Sequence, residues 1–151
     1  MIPAYHAGYV VDASVVTKWF VKRVESDHDK AIALRNGHVA GRFRIILPEF
    51  CLIEVANALR NSPRAREEEV AQALDALDAL AFELVRADVG LLKKANAISW
   101  GYEVTVYDAL YVALAELRSH PMVTADDAFM RKMRGHSIVL ALRDLDFPVT
   151  E

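Results

Sequence analysis

Cysteine is nearly absent from this chain of 151 residues. Cys51 stands alone, so no intrachain disulfide can form. Its place in the apolar run Phe50-Cys51-Leu52-Ile53 reads as a buried thiol, because a nucleophilic cysteine needs an electropositive, accessible setting. Long apolar runs are missing too: nothing approaches the roughly 18 uninterrupted apolar residues of a membrane-spanning helix. Residues 1–8 hold Pro3, His6 and Gly8 and lack a basic stretch leading into an apolar one, so no secretory signal is read there. These absences predict a soluble, cytoplasmic protein with no membrane partner. The five histidines, His6, His28, His38, His120 and His136, fall mostly at expected turns and form no ligand-spaced pair, which argues against imidazole-centred acid–base catalysis. Surplus positive charge is lacking as well: the formal net charge is −3, so a polyanionic partner must be met by local basic patches. With no internal repeat, low-complexity tract or linker, one domain is expected over residues 1–151, its core at about 9–145.

What the chain does have is apolar residues, 54% of the total, enough to cover a sheet on both faces. Tyr9-Val10-Val11 reads as a strand ending at Asp12, followed by a turn and a helix carrying Val15, Val16, Trp19 and Phe20 at helical spacing. Arg44-Ile45-Ile46-Leu47 is a second strand, and Pro48 is expected to open a helix running to Arg60. Residues 64–82 form an amphipathic helix led by Glu67, Glu68 and Glu69, and a short strand follows around Leu84-Val85. A helix over residues 90–100 is expected to turn Leu91, Leu92, Ala95 and Ile98 inward and to end on Gly101 as its cap. Another, over 107–118, places Leu110, Leu114 and Leu117 on one side. Met122-Val123-Thr124-Ala125 is a strand ending at Asp126-Asp127, a short helix carries Phe129 to Met133, and Ile138-Val139-Leu140 is a last strand. Strands separated by helices of this length predict an α/β fold, a three-layer α/β/α sandwich around a central parallel sheet.

Within that frame four acids, Asp12, Glu54, Asp108 and Asp126, stand at strand ends or inside apolar helices, far apart in sequence. In a parallel sheet, ligands gather beyond the carboxyl ends of the strands, where Asp12 and Asp126 are placed. Each acid has an ordinary structural reading on its own: Asp12 as a helix cap, Asp108 as a first-turn acid, Asp126 with Asp127 as a turn. Glu54 leads a polar stripe with Asn57, Ala58 and Asn61 on one helix face. Together they pose a desolvation problem, since half-buried carboxylates need cations, hydrogen bonds or raised pKa values. An all-oxygen set of this kind suits Mg²⁺ or Mn²⁺ and suits zinc poorly. Such an ion polarises a phosphodiester and activates water, which makes metal-dependent phosphodiester hydrolysis the natural chemistry.

The motifs Val10-Val11-Asp12-Ala13-Ser14, Pro48-Glu49-Phe50 leading to Glu54-Val55-Ala56-Asn57-Ala58-Leu59, Val106-Tyr107-Asp108-Ala109-Leu110-Tyr111-Val112-Ala113-Leu114-Ala115, and Val123-Thr124-Ala125-Asp126-Asp127-Ala128-Phe129 resemble, in order, those of PIN-domain proteins. Among these the chain is most similar to the VapC toxins of toxin–antitoxin pairs. The resemblance implies a Mg²⁺- or Mn²⁺-dependent endoribonuclease with Asp12, Glu54, Asp108 and Asp126 as its acidic, metal-binding quartet. It also matches Ser14, Thr124 and Asn57 to supporting polar positions. It implies two partners besides RNA: a small antitoxin lying across the active-site groove, and a second copy of the chain in a homodimer.

Asp127 is expected to cap the final short helix rather than to assist the metal, and Glu49 is left outside the site. Positive charge for RNA is sought in three clusters: Lys18 with Lys22 and Arg23; Arg60 with Arg64 and Arg66; Arg131 with Lys132 and Arg134. Lys18 and Arg60 lead the first two. Trp19, Phe20, Trp100, Tyr107 and Tyr111 are more readily core or interface residues than base-stacking platforms. Two rivals remain: a catalytically silent module of the same fold, which the presence of all four acids opposes, and an RNA-processing nuclease without an antitoxin. A phosphoacceptor receiver wants an early acidic pair, and a haloacid-type phosphatase wants a second aspartate where Ser14 stands.

Overall fold

The computed structural model describes residues 2–3, 7–21 and 27–147. His6, Lys22 and Arg23 fall outside them. In chain order the elements are β1 (Ile2–Pro3), β2 (Gly8–Val11), α1 (Ala13–Val16) running into a 3-10 turn (Thr17–Trp19), α2 (His28–Val39), β3 (Arg44–Pro48), α3 (Phe50–Arg60), α4 (Glu67–Ala79), β4 (Glu83–Val85), α5 (Val89–Tyr102), α6 (Val106–Arg118), β5 (Met122–Thr124), α7 (Asp127–Lys132), β6 (Val139–Ala141), a second 3-10 turn (Leu142–Asp144) and β7 (Leu145–Asp146).

Five strands form one parallel sheet in the order β4-β3-β2-β5-β6, while β1 and β7 pair separately. Register is set by Tyr9 beside Ile45, Val11 beside Val123 and Thr124 beside Ala141. β2 is buried along its whole length, as expected of a central parallel strand covered by helices on both faces. From β2 the chain builds outward to β3 and β4, then returns to add β5 and β6 on the other side. The order therefore reverses between β2 and β5, and a crevice opens there beyond the strand carboxyl ends. This is the three-layer α/β/α sandwich expected above.

The layers follow from local chemistry. In α6 every residue from Ala109 to Ala115 is buried, so this helix lies inside the molecule, against the sheet and α5. Its start is fixed by Thr105, whose Oγ1 accepts from the Asp108 N–H at 3.1 Å. In α3 the buried ridge is Cys51, Val55 and Leu59, at spacing four, which leaves Glu54 half-buried on the flank and Asn57 exposed. Cys51 is buried, as expected.

Several boundaries differ from those expected. Pro48 ends β3, paired with Val85, and α3 begins at Phe50; a residue without an N–H closes a ladder as readily as it opens a helix. Gly101 lies within α5, and the left-handed cap is Glu103 (φ 56°); beside it the Val104 N–H donates to Ser99 O and Ser99 Oγ to Val104 O, and Lys132 Nζ donates to the Glu103 carbonyl. Leu92 and Leu117 are exposed, because the buried ridge of α5 runs through Leu91, Ala95 and Ile98, one helical step of about 100° away from Leu92. The last short helix is capped by Asp126, whose Oδ1 accepts from the Phe129 N–H at 3.0 Å, and not by Asp127. Asp127 is exposed and pairs with Arg143. Helix α2 has no counterpart among the expected elements. It contains His28 and His38, which therefore do not lie in turns, and buries Ala31, Leu34 and Gly37. A Cβ at Gly37 would lie 2.1 Å from the Phe43 ring, so a side chain there would force that ring to move.

Candidate active site

The end of β2 delivers Asp12 to the crevice. Although Asp12 occupies the N-cap position of α1, its side chain makes no cap bond. Asp12 Oδ2 instead accepts from Ser14 Oγ at 2.7 Å and Thr124 Oγ1 at 2.8 Å. Both hydroxyls also accept: Ser14 Oγ from the Ala125 N–H at 3.0 Å, Thr124 Oγ1 from the Asp126 N–H at 3.1 Å. A hydroxyl has one proton to give, and here both protons go to the same carboxylate oxygen. The network stitches the end of β2 to the end of β5 across the point where strand order reverses.

The other acids arrive from helices that start at the same edge. Glu54, on α3, accepts at Oε1 from the Tyr111 hydroxyl of α6 at 2.7 Å. Asp108 lies in the first turn of α6, three residues before Tyr111 and half-buried. Asp126 follows β5 and is exposed, with Oδ1 engaged by the α7 backbone. Asp12, Glu54 and Asp126 are thus each held through one oxygen by the protein's own donors.

These carboxylates burden one another. Burial, followed by repulsion from Asp108 and Asp126, pushes the Asp12 carboxyl up to about 6 against the opposing pull of Ser14 and Thr124. Glu54 is pushed up to about 7 by burial, then by Asp12 and Asp108, with Tyr111 acting the other way. Asp108 is raised by burial and by Asp126, and lowered by Thr105 and Lys132. All four acids therefore appear as like charges in one another's field, the pattern expected when carboxylates gather without a counter-charge. None of the four forms an ion pair among the described residues.

The donor set fits a hard divalent cation in kind: carboxylates and hydroxyls, with the one thiol, Cys51, buried and pushed up to about 12 by desolvation. It does not form a closed cage, for among the described residues no three acidic, imidazole or thiol groups are drawn together around one point. An open set accords with Mg²⁺, which keeps several waters and is held through one or two carboxylates plus substrate phosphate.

The remaining candidates divide. Ser14 and Thr124 sit where a supporting role needs them. Asn57 is exposed, and its Oδ1 accepts from Asn61 Nδ2 at 3.2 Å along the outer face of α3, away from the acid network. Lys18 is engaged with Asp27 at 3.1 Å, both side chains mostly buried. Arg60, Arg64 and Arg66 are exposed and make no hydrogen bond or ion pair among the described residues. Trp19 is a core residue, donating from Nε1 to Ala31 O at 2.8 Å. Three residues have roles beside the acids that the sequence did not assign to them. Thr105 caps α6, Lys132 is the cation acting on Asp108, and Tyr111 joins Glu54 to α6. The spacing of Tyr111, three residues after Asp108, was the available signal.

Comparison with known proteins agrees with this architecture. Solved structures of similar fold include a toxin–antitoxin complex from Klebsiella pneumoniae, 16% identical over 91% of this chain and 98% of that one, with a TM-score of 0.64. FitAcB from Neisseria gonorrhoeae is 11% identical over 91% of this chain and 99% of that one, with a TM-score of 0.65. FitAB bound to an IR36 DNA fragment is 12% identical over 93% and 99%, with a TM-score of 0.68. At such identities the likeness shows the fold. No curated protein matches significantly. The PIN domain model matches residues 9–135, most of the sequence, and the chain belongs to the PIN domain family.

Proposed function

We propose that this protein is a Mg²⁺- or Mn²⁺-dependent endoribonuclease and the toxin of a VapBC-type toxin–antitoxin pair. The observation that carries the nuclease reading is the gathering of Asp12, Glu54, Asp108 and Asp126 at the reversal of strand order, mutually repelling and without an ion pair among the described residues. A divalent ion held there would supply an activated water and neutralise charge on a scissile phosphodiester. Asp12 and Glu54, buried or half-buried and each fixed through one oxygen, would be the residues to hold it. Asp108 and Asp126 would add negative charge from the α6 and α7 sides. Ser14 and Thr124 orient Asp12, and neither hydroxyl has a proton left for the substrate.

RNA needs cations outside this ring. The exposed arginines Arg60, Arg64 and Arg66, following α3, suit the phosphate backbone better than Lys18, which Asp27 already engages. The toxin reading is supported by the toxin–antitoxin complex among the structures of similar fold. It brings an antitoxin covering the groove and a homodimer. The second reading, a silent module of the same fold, is favoured by one observation, the lack of three converging ligand groups among the described residues.

The test is cleavage of single-stranded RNA, and of DNA of matching sequence, by the purified protein with Mg²⁺, with Mn²⁺ and with EDTA. Cleavage of RNA that needs the metal and is lost in Asp12→Asn is expected. No cleavage of any RNA by folded, metal-loaded protein would favour the silent module. Induced expression with cleavage-site mapping, Asp12→Asn as control, then identifies the RNA.

A further inference from the structure

We infer that Tyr111 is a positioning residue that sets the metal affinity of the site by holding Glu54 through Oε1, an inference that rests on the metal-dependent reading above. The two residues lie 57 positions apart on different helices, and the phenol hydroxyl reaches Glu54 Oε1 at 2.7 Å. Glutamate has three side-chain torsions, one more than aspartate, and Glu54 is the one glutamate among the four acids. A free Glu54 would have more orientations to lose on binding a cation than its neighbours do. Tyr111 removes that freedom. Its ring is fully buried in the middle of α6, the helix whose first turn carries Asp108, so one rigid element fixes the position of two acids on the crevice. Cys51, one turn before Glu54 on α3, is a second polar neighbour of the phenol hydroxyl, so α3 meets Tyr111 at two successive turns.

The same role falls on hydroxyls at Asp12, where Ser14 and Thr124 both bond Oδ2. Each of these buried or half-buried acids thus has one oxygen occupied by a side-chain hydroxyl, leaving the second for a cation. Outer hydrogen bonds of this type orient metal ligands, and their loss usually costs about 10- to 100-fold in metal affinity or activity.

Tyr111→Phe removes the hydroxyl oxygen and keeps the ring that fills the core. Mn²⁺ titrations of wild type, Tyr111→Phe, Glu54→Gln and the double variant, read calorimetrically and by the metal-induced rise in melting temperature, test the role, with far-UV circular dichroism checking that each is folded. The expected result is Mn²⁺ binding weakened about tenfold or more in Tyr111→Phe, cleavage at limiting Mn²⁺ reduced in parallel and largely recovered at saturating Mn²⁺, and no further loss when the change is added to Glu54→Gln. Wild-type Mn²⁺ affinity in Tyr111→Phe, or an equal further loss in the Glu54→Gln background, would overturn it. Should Tyr111→Phe not fold, Cys51→Ala, which removes the second polar neighbour of the phenol hydroxyl, serves instead, with weaker Mn²⁺ binding supporting the role and unchanged binding opposing it. Failure of wild type to bind Mn²⁺ would instead count against the proposed function, so the two failures are told apart.

Discussion

The two edges of the sheet treat their carboxylates in opposite ways. At the amino edge two acids meet basic groups: Glu83, at the start of β4, pairs with Arg118 at 2.6 Å and Arg44 at 3.2 Å, and Glu116 meets Lys94 at 3.3 Å and the His136 ring at 2.8 Å. At the carboxyl edge Asp12, Glu54, Asp108 and Asp126 have hydroxyls and backbone N–H groups for company, and the cation Lys132 acts on Asp108. An open cavity of about 580 Å³, lined by Glu116, Ser119, His120 and His136 among others, lies at the amino edge and not over the acids. What sets the carboxyl edge apart is charge without an ion-pair partner among the described residues. The acids of one edge are paired with the protein's own cations; at the other edge the proposed metal ion would take that part.

Substitutions at the two edges should separate cleanly. The largest effect is expected for Asp12→Asn and Asp108→Asn, which should each lower metal-dependent RNA cleavage beyond the roughly 100-fold ceiling typical of losing an outer partner, with circular dichroism unchanged. Glu116→Gln, on the amino edge, should leave cleavage within twofold and lower stability by about 0.5–1 kcal/mol, the worth of a partly exposed pair. Equal losses at both edges would break the comparison.

Metal and pH sharpen it further. Ionising Asp12 and Glu54 is unfavourable in the folded chain, since both folded values stand above the usual 3.8 and 4.5. Their contribution to stability is fully present below those unfolded values and is lost as pH rises through about 6 for Asp12 and about 7 for Glu54. Metal-free protein should therefore lose stability from these groups between weakly acidic and neutral pH. Asp12→Asn should remove part of that loss and melt a few degrees higher than wild type at pH 7.5, the size of shift that about 1 kcal/mol gives in a domain of this length. Thermal melts in EDTA at several pH values check this. Because a cation needs the ionised carboxylates, Mn²⁺ affinity should climb over the same pH interval in which stability falls. The smallest effect is expected from Arg60→Ala: a modest rise in KM for RNA with kcat unchanged and a shallower salt dependence, measured by cleavage at several salt concentrations.

Much of the frame was legible in the sequence. Apolar runs ending in an acid gave β2 and β5, and Pro48 after the second apolar run announced α3, although the proline itself closes β3. The crevice followed from strand order, and the expectation that Asp12 and Asp126 stand at its edge followed from the strand ends. What escaped notice depends on contacts across space. Helix α2 hides because its buried face is Ala31, Leu34 and Gly37, too small to print an apolar stripe, and Gly37 is there for Phe43. Asp126 rather than Asp127 caps α7 because the Thr124 hydroxyl, already holding Asp12, fixes the backbone N–H of Asp126. Tyr111 read as one aromatic among several, since nothing local to α6 says that Glu54 of α3 stands opposite its hydroxyl.

The contrast between the edges is tested most directly by calorimetric titration of Mn²⁺ into wild type, Asp12→Asn and Glu116→Gln at pH 7.5. Saturable binding in wild type and Glu116→Gln, abolished in Asp12→Asn, is the expected result. Binding that survives Asp12→Asn, or no binding to folded wild type, would contradict the claim that the carboxyl edge is built around a cation.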